Sequence, residues 1–317
     1  MPSPELRPQT QPVGSQQLCK TTSQWHTNCR QADVRLCQFM SMVFVAAFIN
    51  VQAQPSPSAE FAFESRGGLL WVKVSVPQSA EPLNFLLDSG AGVSVVNLRT
   101  AKRFGLKLGQ RVDVRGVGNS TDGFWPQRMQ ATAGGVGLPN ECLAVDLAEL
   151  SKACDCGVDG LLGADFFKDR VVQIDFVEKR IRLLSSSDAT RAVCVVKMKL
   201  NRGALLASVG VDENKPQWLR VDTGCTSALQ WVTNGRTMAA RRSGVSVGLT
   251  EMNIPTTTTT VRLGSMTFDS VPTGLHRQPF FSGESGLLGN GLLMRFERVT
   301  FDTKAGRLVL DGPRAGF

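Results

Sequence analysis

Residues 85–91 read FLLDSGA, and residues 219–225 read LRVDTGC. In both places a mostly apolar run ends on an aspartate, which is followed by a small hydroxyl residue and a glycine. Another apolar run precedes each motif across a polar turn, so each pattern predicts a hairpin that delivers an aspartate at a strand end. Asp88 and Asp222 lie 134 positions apart, and this spacing of two similar segments indicates an internal duplication.

A second pair of motifs closes each repeat. Residues 160–163 and residues 286–289 both read GLLG. Each motif is followed by apolar residues and then by an alternating pattern around a polar turn, which predicts a terminal hairpin. The sequence therefore predicts two homologous lobes, residues 60–188 and 192–313, with the crossing between them at residues 185–188.

The composition favours a largely β protein and weakens several functional classes. Of 317 residues, 42% are hydrophobic and 20% charged, and the 31 glycines and 15 prolines show no period, which is typical of many short strands joined by turns. The net charge is +8, but the basic residues lack the clustering of a nucleic-acid binder. Only two histidines, His26 and His276, are present, which weakens Ser/His, Cys/His and His-rich metal chemistries.

The duplicated Asp-(Ser/Thr)-Gly and Gly-Leu-Leu-Gly motifs resemble those of the aspartic proteases, most nearly the bacterial retropepsin-like group in a single-chain, two-lobed form. The resemblance covers nearly all of residues 60–313. It implies an all-β chain with the acid-protease fold, in which two homologous β-barrel-like lobes enclose a catalytic cleft. One such motif alone is also ordinary turn chemistry, whereas a duplicated motif with a duplicated partner is specific.

The resemblance implies that Asp88 and Asp222 form the catalytic dyad of an aspartic-type endopeptidase. Peptide hydrolysis without a metal or a covalent nucleophile needs one group that takes a proton from water and another that gives a proton to the carbonyl oxygen. Two carboxyl groups about 3 Å apart do both, because they cannot both ionise cheaply and therefore share one proton. Either aspartate can be the base, depending on the bound substrate. We expect no cofactor and no metal.

Residues beside the aspartates receive supporting roles by the same resemblance. Ser89 and Thr223 are expected to bridge the two loops by hydrogen bonds from each hydroxyl to the opposing backbone. Gly90 and Gly224 are expected to let the chain turn tightly beneath the carboxylates.

A glycine-rich segment, residues 116–123, lies after the first aspartate where the family has a flap hairpin over the substrate. The flap candidates are Val117, Gly118 and Trp125. A phosphate-binding loop is rejected because no Gly-Lys-(Ser/Thr) follows. The chain contains no tyrosine, so the flap tyrosine of pepsins is absent.

The residues after the two glycines depart from the family pattern. Many acid-active members have a hydroxyl side chain there, which donates to the neighbouring carboxylate and lowers the pKa of the pair. Here the positions are Ala91 and Cys225. Alanine donates nothing and a thiol donates weakly, so we expect the dyad to hold its shared proton to higher pH and to work best under mildly acidic conditions.

The first 53 residues are predicted to be a signal peptide or leader. Arg30 and Arg35 precede an apolar run, residues 39–49, and a Val-Gln-Ala cleavage site follows it. The run is shorter than the roughly 20 apolar residues that span a membrane, so export to a periplasmic or secreted location is favoured over anchoring through residues 39–49. A buried helix and a misassigned start codon are the alternatives.

The cysteines outside the leader are Cys142, Cys154, Cys156, Cys194 and Cys225. In an oxidising compartment we expect a loop disulfide between Cys142 and either Cys154 or Cys156. The Cys-Asp-Cys triplet has no second pair at the spacing of a metal site.

The favoured function is an exported endopeptidase, and its expected partner is a polypeptide bound in extended form between the lobes. We expect a monomer that binds no nucleic acid and contacts a membrane only if the leader is retained. The alternative is an inactive protease-like module that grips peptides by β-strand addition. The presence of both aspartates favours the enzyme.

Cleavage close to Ala53 is the testable consequence of the leader. The N-terminal sequence of protein recovered outside the cytoplasm should begin just after this residue, because the short apolar core and the small residues match a signal peptide. A mature chain that begins at Met1 and stays in the membrane would mean an anchor. A chain found only in the cytoplasm would refute export.

Overall fold

The computed structural model describes residues 59–117, 120–190, 192–233, 242–247 and 251–314. The predicted leader, residues 1–53, lies outside the described residues. Within those ranges the chain consists mainly of short strands, with three short α-helices. None of the helices in this part of the chain is long and apolar enough to cross a membrane.

The first half of the described chain carries two of the helices, α1 (Leu98–Arg103) and α2 (Ala148–Ala153). Its strands are β1 (Ala59–Ala62), β2 (Glu64–Arg66), β3 (Leu69–Val74), β4 (Leu83–Leu87), β5 (Val95–Asn97), β6 (Gln110–Arg115), β7 (Ser120–Arg128), β8 (Thr132–Ala133), β9 (Val136–Gly137), β10 (Glu141–Val145), β11 (Gly160–Leu162), β12 (Val171–Asp175) and β13 (Arg180–Leu184).

The second half carries the helix α3 (Asn290–Leu293). Its strands are β14 (Ala192–Asn201), β15 (Ala204–Val211), β16 (Gln217–Asp222), β17 (Leu229–Val232), β18 (Arg242–Val247), β19 (Glu251–Leu263), β20 (Met266–His276), β21 (Gly286–Gly289), β22 (Phe296–Asp302) and β23 (Arg307–Pro313). The chain passes between the halves in the segment between β13 and β14, where the serine-rich crossing is predicted.

The two halves repeat one order of strands. In the first half the sheet runs β2-β3-β4-β11-β5-β10-β7-β6, and in the second half it runs β14-β15-β16-β21-β17-β20-β19-β18. The strand directions repeat too, since β11 is parallel to β4 and antiparallel to β5, as β21 is to β16 and β17. We call residues 64–162 the first lobe and residues 192–289 the second lobe. The duplication read from the motifs is thus a duplication of topology.

A third group of strands joins the lobes. The order β1-β13-β12-β22-β23-β14 forms one continuous part of the larger sheet, so the closing hairpins of the two halves pair with each other. Strands β12 and β22 are antiparallel, with Gln173 opposite Thr300, and the Gln173 amide Nε2 donates to the Thr300 hydroxyl at 3.2 Å. Because these two residues are also equivalent in the repeat, this pair marks the local twofold axis.

The core follows from side-chain alternation along the strands. In β14, for example, Cys194, Val196 and Met198 are buried while Val193 and Val195 face outward, as the period-two geometry of a strand requires. One large apolar cluster extends through both lobes, and a smaller cluster lies in the first lobe around Trp71, Leu86 and Leu143. The smaller cluster forms the apolar first-lobe wall of the cleft described below.

The predicted loop disulfide is wrong. Cys142, Cys154 and Cys156 are all free thiols, as are Cys194 and Cys225. Cys142 is buried in the large apolar cluster, whereas Cys154 and Cys156 pack against the smaller one. A disulfide needs Cα atoms within about 7 Å, and Cys142 in β10 packs in a different apolar cluster from Cys154 and Cys156.

Candidate active site

Each aspartate lies at the end of a strand that is held by a parallel neighbour. The Asp88 N–H donates to the Leu162 carbonyl at 2.9 Å, just beyond the β4 and β11 pairing. In the second lobe Asp222 ends β16 opposite Gly289 of β21. The Gly-Leu-Leu-Gly motifs are therefore the strands that fix the direction of both aspartate loops.

The hydroxyl residues after the aspartates connect the two lobes. The Ser89 hydroxyl donates to the Val221 carbonyl and the Thr223 hydroxyl donates to the Leu87 carbonyl, both at 2.8 Å. In return the Ser89 N–H donates to the Thr223 hydroxyl at 2.9 Å, and the Thr223 N–H donates to the Ser89 hydroxyl at 3.1 Å. Both side chains are fully buried, so these four bonds form away from water, where polar groups without partners are costly.

The glycines of the two loops bring the carboxyl groups together. A Cβ added to Gly90 would lie 2.3 Å from Cγ of Asp222, and a Cβ added to Gly224 would lie 2.7 Å from Cγ of Asp88. Each carboxyl group thus packs directly on the glycine of the opposite loop, which leaves no room for any side chain there. The two carboxyl groups lie close enough for the charge of Asp88 to raise the pKa of Asp222.

The two aspartates differ in their electrostatic environments. The Asp88 Oδ1 atom accepts hydrogen bonds from the N–H groups of Gly90 at 3.0 Å and Ala91 at 3.1 Å, which favour its ionised form. Asp222 Oδ1 accepts one backbone bond in the described chain, from Gly224 at 2.9 Å. Burial raises the pKa of both groups, and burial with the charge of Asp88 raises the pKa of Asp222 to about 8. The raised pKa of Asp222 favours its protonated form beside Asp88.

A cleft of about 780 Å³ opens above the two carboxyl groups. The β6 and β7 hairpin borders it, and Val117 and Trp125 of this hairpin line it. Gly118, the third flap candidate, lies outside the described residues. The volume lies within the range of about 300–1,000 Å³ that ligand sites occupy.

Two comparisons with known proteins agree with this geometry. Residues 72–166, which include Asp88 but not Asp222, match the family model of the aspartyl proteases. The structure is similar to that of the aspartic proteinase from Irpex lacteus, with a TM-score of 0.51 over 80% of this chain and 97% of that chain, at 14% sequence identity. A search of curated proteins found no match.

This chain has the aspartic-protease fold. The family match by sequence covers part of the first half of the chain, and the topology extends the likeness to the second.

Sequence reasoning missed two polar residues close after the Gly-Leu-Leu-Gly motifs, Asp165 two positions after the first motif and Asn290 directly after the second. Asp165 accepts from the Ser94 N–H at 2.9 Å and from the Ser94 hydroxyl at 2.7 Å, and this hydroxyl accepts from the Gly163 N–H. In the second lobe the Asn290 Nδ2 atom donates to the Thr223 carbonyl at 2.6 Å and to the Gly68 carbonyl of the first lobe at 2.9 Å. A polar residue one or two positions after an apolar strand motif was the available signal.

Sequence reasoning also missed Arg220, which lies two residues before Asp222 and lines the cleft. Its guanidinium is buried beside Glu284. The signal was an arginine within an otherwise apolar strand.

Cys225, the unusual residue of the second loop, is a neutral thiol. Burial raises its pKa to about 12, and its sulfur accepts a hydrogen bond from the Gln230 amide at 3.5 Å. Cys225 therefore neither ionises beside the dyad nor adds a charge to it. Among the described residues, no group of three or more His, Cys, Asp and Glu side chains could hold a metal ion.

Alanine at Gly90 or Gly224 should destabilise this aspartic-protease fold. The added methyl would meet the opposite carboxyl carbon at 2.3 Å or 2.7 Å, and such overpacking costs about 1–3 kcal/mol of unfolding free energy. Urea denaturation measures the change. Gly137→Ala is the control, because a Cβ there meets nothing within 4 Å, and its stability should stay within about 0.5 kcal/mol of the wild type. Equal stabilities for all three variants would contradict the cross-lobe packing.

The raised pKa of Asp222 should make the fold less stable as the pH rises. Between about pH 4, near the pKa of an unfolded aspartate, and about pH 8 the folded state holds a proton that the unfolded chain has lost. The unfolding free energy therefore falls across this window. Asp222→Asn should make the slope shallower, while Asp169→Asn, at an exposed position with a left-handed backbone that asparagine tolerates, should not change it. Urea denaturation at a series of pH values tests this, and parallel slopes for wild type and Asp222→Asn would refute it.

Proposed function

We propose that the protein is an exported aspartic endopeptidase in which Asp88 and Asp222 hydrolyse peptide bonds through an activated water. The single observation that supports this proposal is the pair of neighbouring carboxyl groups at the floor of the cleft, each packed on the glycine of the opposite loop, with the pKa of Asp222 raised to about 8. Such a pair supplies a base and an acid at one point, which is what uncatalysed amide hydrolysis lacks.

The unequal environments of the carboxyl groups assign a role to each in the resting enzyme. Asp88, ionised, takes a proton from a water molecule as the water oxygen bonds to the carbonyl carbon. Asp222, protonated, gives its proton to the carbonyl oxygen, so the intermediate is a neutral diol on a tetrahedral carbon. The C–N bond then breaks as the nitrogen receives the proton held by Asp88. One hydroxyl of the diol returns its proton to Asp222, and the dyad is restored.

The cleft supports an extended polypeptide as the substrate. On the first-lobe side its walls are apolar, formed by side chains such as Leu86, Val95, Leu143 and Leu161 with Trp125 of the hairpin. A large apolar side chain next to the scissile bond would bury its surface there, at about 25 cal/mol per Å². The hairpin that covers this wall would exclude water from the reaction.

We also propose an oligomeric state and a location for the protein. A single chain supplies both aspartates, so the site needs no second copy, and we assign a monomer. The export leader, residues 1–53, rests on the sequence pattern, and contact with a membrane requires that the leader is retained.

Replacing either aspartate by asparagine should abolish peptidase activity while the protein stays folded. An amide keeps the shape of the carboxyl group but cannot share its proton. The two losses should not add in the double variant, because the carboxyl groups work as one unit. The assay is the release of new amino termini from an unstructured protein substrate, with Asp169→Asn as the control at an exposed position.

Turnover measured at a series of pH values in the same assay provides a second test. Because the shared proton is lost as the pair titrates, the rate should fall as the pH rises through about 8, and the optimum should be mildly acidic. Substantial turnover by Asp88→Asn or Asp222→Asn would refute the dyad. A wild type that binds unfolded peptide but releases no new termini between about pH 3 and pH 8 would favour the inactive binding module.

A further inference from the structure

One position in the cleft breaks the twofold repeat of the site. Leu86 and Arg220 are equivalent, since each lies two residues before its aspartate, and both line the cleft. Residues two apart on a strand face the same side. The cleft therefore has an apolar side chain beside Asp88 and a guanidinium beside Asp222.

The guanidinium is held in one orientation by its neighbours. Nε donates to Oε2 of Glu284 at 2.8 Å and Nη2 donates to Oε1 at 2.6 Å, a two-pronged ion pair whose side chains are each only 9% exposed. The centroid of the Phe281 ring lies 3.8 Å from the guanidinium carbon. Because the guanidinium is fixed by these contacts, it cannot turn toward the solvent, and its electric field acts on the neighbouring groups.

The third nitrogen of the guanidinium contacts the first lobe. Arg220 Nη1 donates to the Gly90 carbonyl oxygen at 2.7 Å. That carbonyl and the N–H of Ala91 belong to the same planar peptide group, and the Ala91 N–H donates to Oδ1 of Asp88 at 3.1 Å. Hydrogen bonds in such a chain polarise one another. The peptide between Gly90 and Ala91 thus connects the guanidinium of one lobe to the carboxylate of the other.

We propose that Arg220 is a positioning residue of the dyad, which fixes the Gly90–Ala91 peptide against Asp88 and places one permanent positive charge beside the two carboxyl groups. The peptide contact favours Asp88 as the ionised partner, while the charge acts on both carboxyl groups. The second loop has no such donor, because Leu86, which is the first-lobe equivalent of Arg220, cannot donate a hydrogen bond. Glu284 and Phe281 act by holding Arg220, and Glu284 offsets part of its charge.

The charged groups around the dyad are few. Arg220 is the cation whose charge lowers the pKa of both aspartates, against the effect of burial. Asp113 and Arg115 on the hairpin and Arg202 on the turn between β14 and β15 also line the cleft. These three side chains are not changed in the variants that test Arg220, and the thiol of Cys225 is neutral.

The inference rests on the proposed function, and its test reads the dyad directly as well as through turnover. Aspartate labelled with ¹³C at the carboxyl carbon reports each protonation by NMR without any catalysis. The dyad signals are identified by their loss in Asp88→Asn and Asp222→Asn. A wild type that lacks peptidase activity would overturn the proposed function and would leave the titration of the pair available as the test of Arg220.

The double variant Arg220→Leu with Glu284→Leu removes the cation and its partner together, so no unpaired charge is left buried. We expect the dyad titration to move upward by about one pH unit or more. Both limbs of the pH–rate profile should move in the same direction. The kcat should fall about 10-fold or more with little change in KM, because the peptide that supports Asp88 has lost its anchor.

Glu284→Gln is the opposing variant, and it also serves if the double variant fails to fold. It removes the negative charge that offsets Arg220, so the dyad titration should move downward. Arg220→Lys keeps the charge without the fork and should leave the limbs nearer the wild type than the double variant does. Lys179→Asn, which removes an exposed cation outside the cleft at a position with a left-handed backbone, should leave the limbs where they are.

A purely structural Arg220 would lower the melting temperature without moving the titration. Unchanged dyad signals in the folded double variant would therefore overturn the proposal. The same conclusion would follow if Glu284→Gln left the titration where it is in the wild type or moved it upward.

Discussion

The reciprocal hydrogen bonds between Ser89 and Thr223 are the contact on which the site depends. Each hydroxyl donates to a carbonyl of the opposite lobe and accepts from the N–H of the other hydroxyl residue. These hydroxyl and backbone groups are satisfied by one another, so the contact is buried without leaving any of them unpaired. Because the aspartates are the residues immediately before, the contact also sets how close the carboxyl groups come. The shared proton is a consequence of that distance.

The strand topology is duplicated in the two lobes, but the side chains around the two aspartate loops are not. The Ser94 and Asp165 pair buttresses the first loop, while the second has Ala228 and Gly291 at the matching positions. Asn290 ties the second loop to Gly68 of the first lobe. The number of N–H groups that face each carboxyl group also differs. Symmetric topology places the two carboxyl groups together, and the asymmetric details give each a different affinity for the proton.

Much of this arrangement follows from local sequence pattern. A hairpin that ends on Asp-(Ser/Thr)-Gly is visible in seven residues, and its repetition indicates the lobes and the meeting of Asp88 with Asp222. What the pattern does not contain is pairing between distant segments. The pairing of β12 with β22 at the twofold axis joins residues that are 127 positions apart. Arg220 pairs with Glu284, which is 64 positions away. The predicted disulfide at Cys142 was wrong for the same reason, because the spacing of cysteines along the chain does not show which apolar cluster each side chain joins.

The two halves of the cleft are related by the twofold axis through Gln173 and Thr300, yet they belong to one chain and can differ in sequence. In a true homodimer every substitution appears twice, so an arginine at one site is always accompanied by a second across the axis. Two guanidinium groups beside one pair of carboxyl groups would repel each other and would favour two ionised carboxylates over one shared proton. Joining the halves in one chain allows leucine at position 86 and arginine at position 220. Covalent linkage thus permits chemistry that a symmetric assembly of identical subunits excludes.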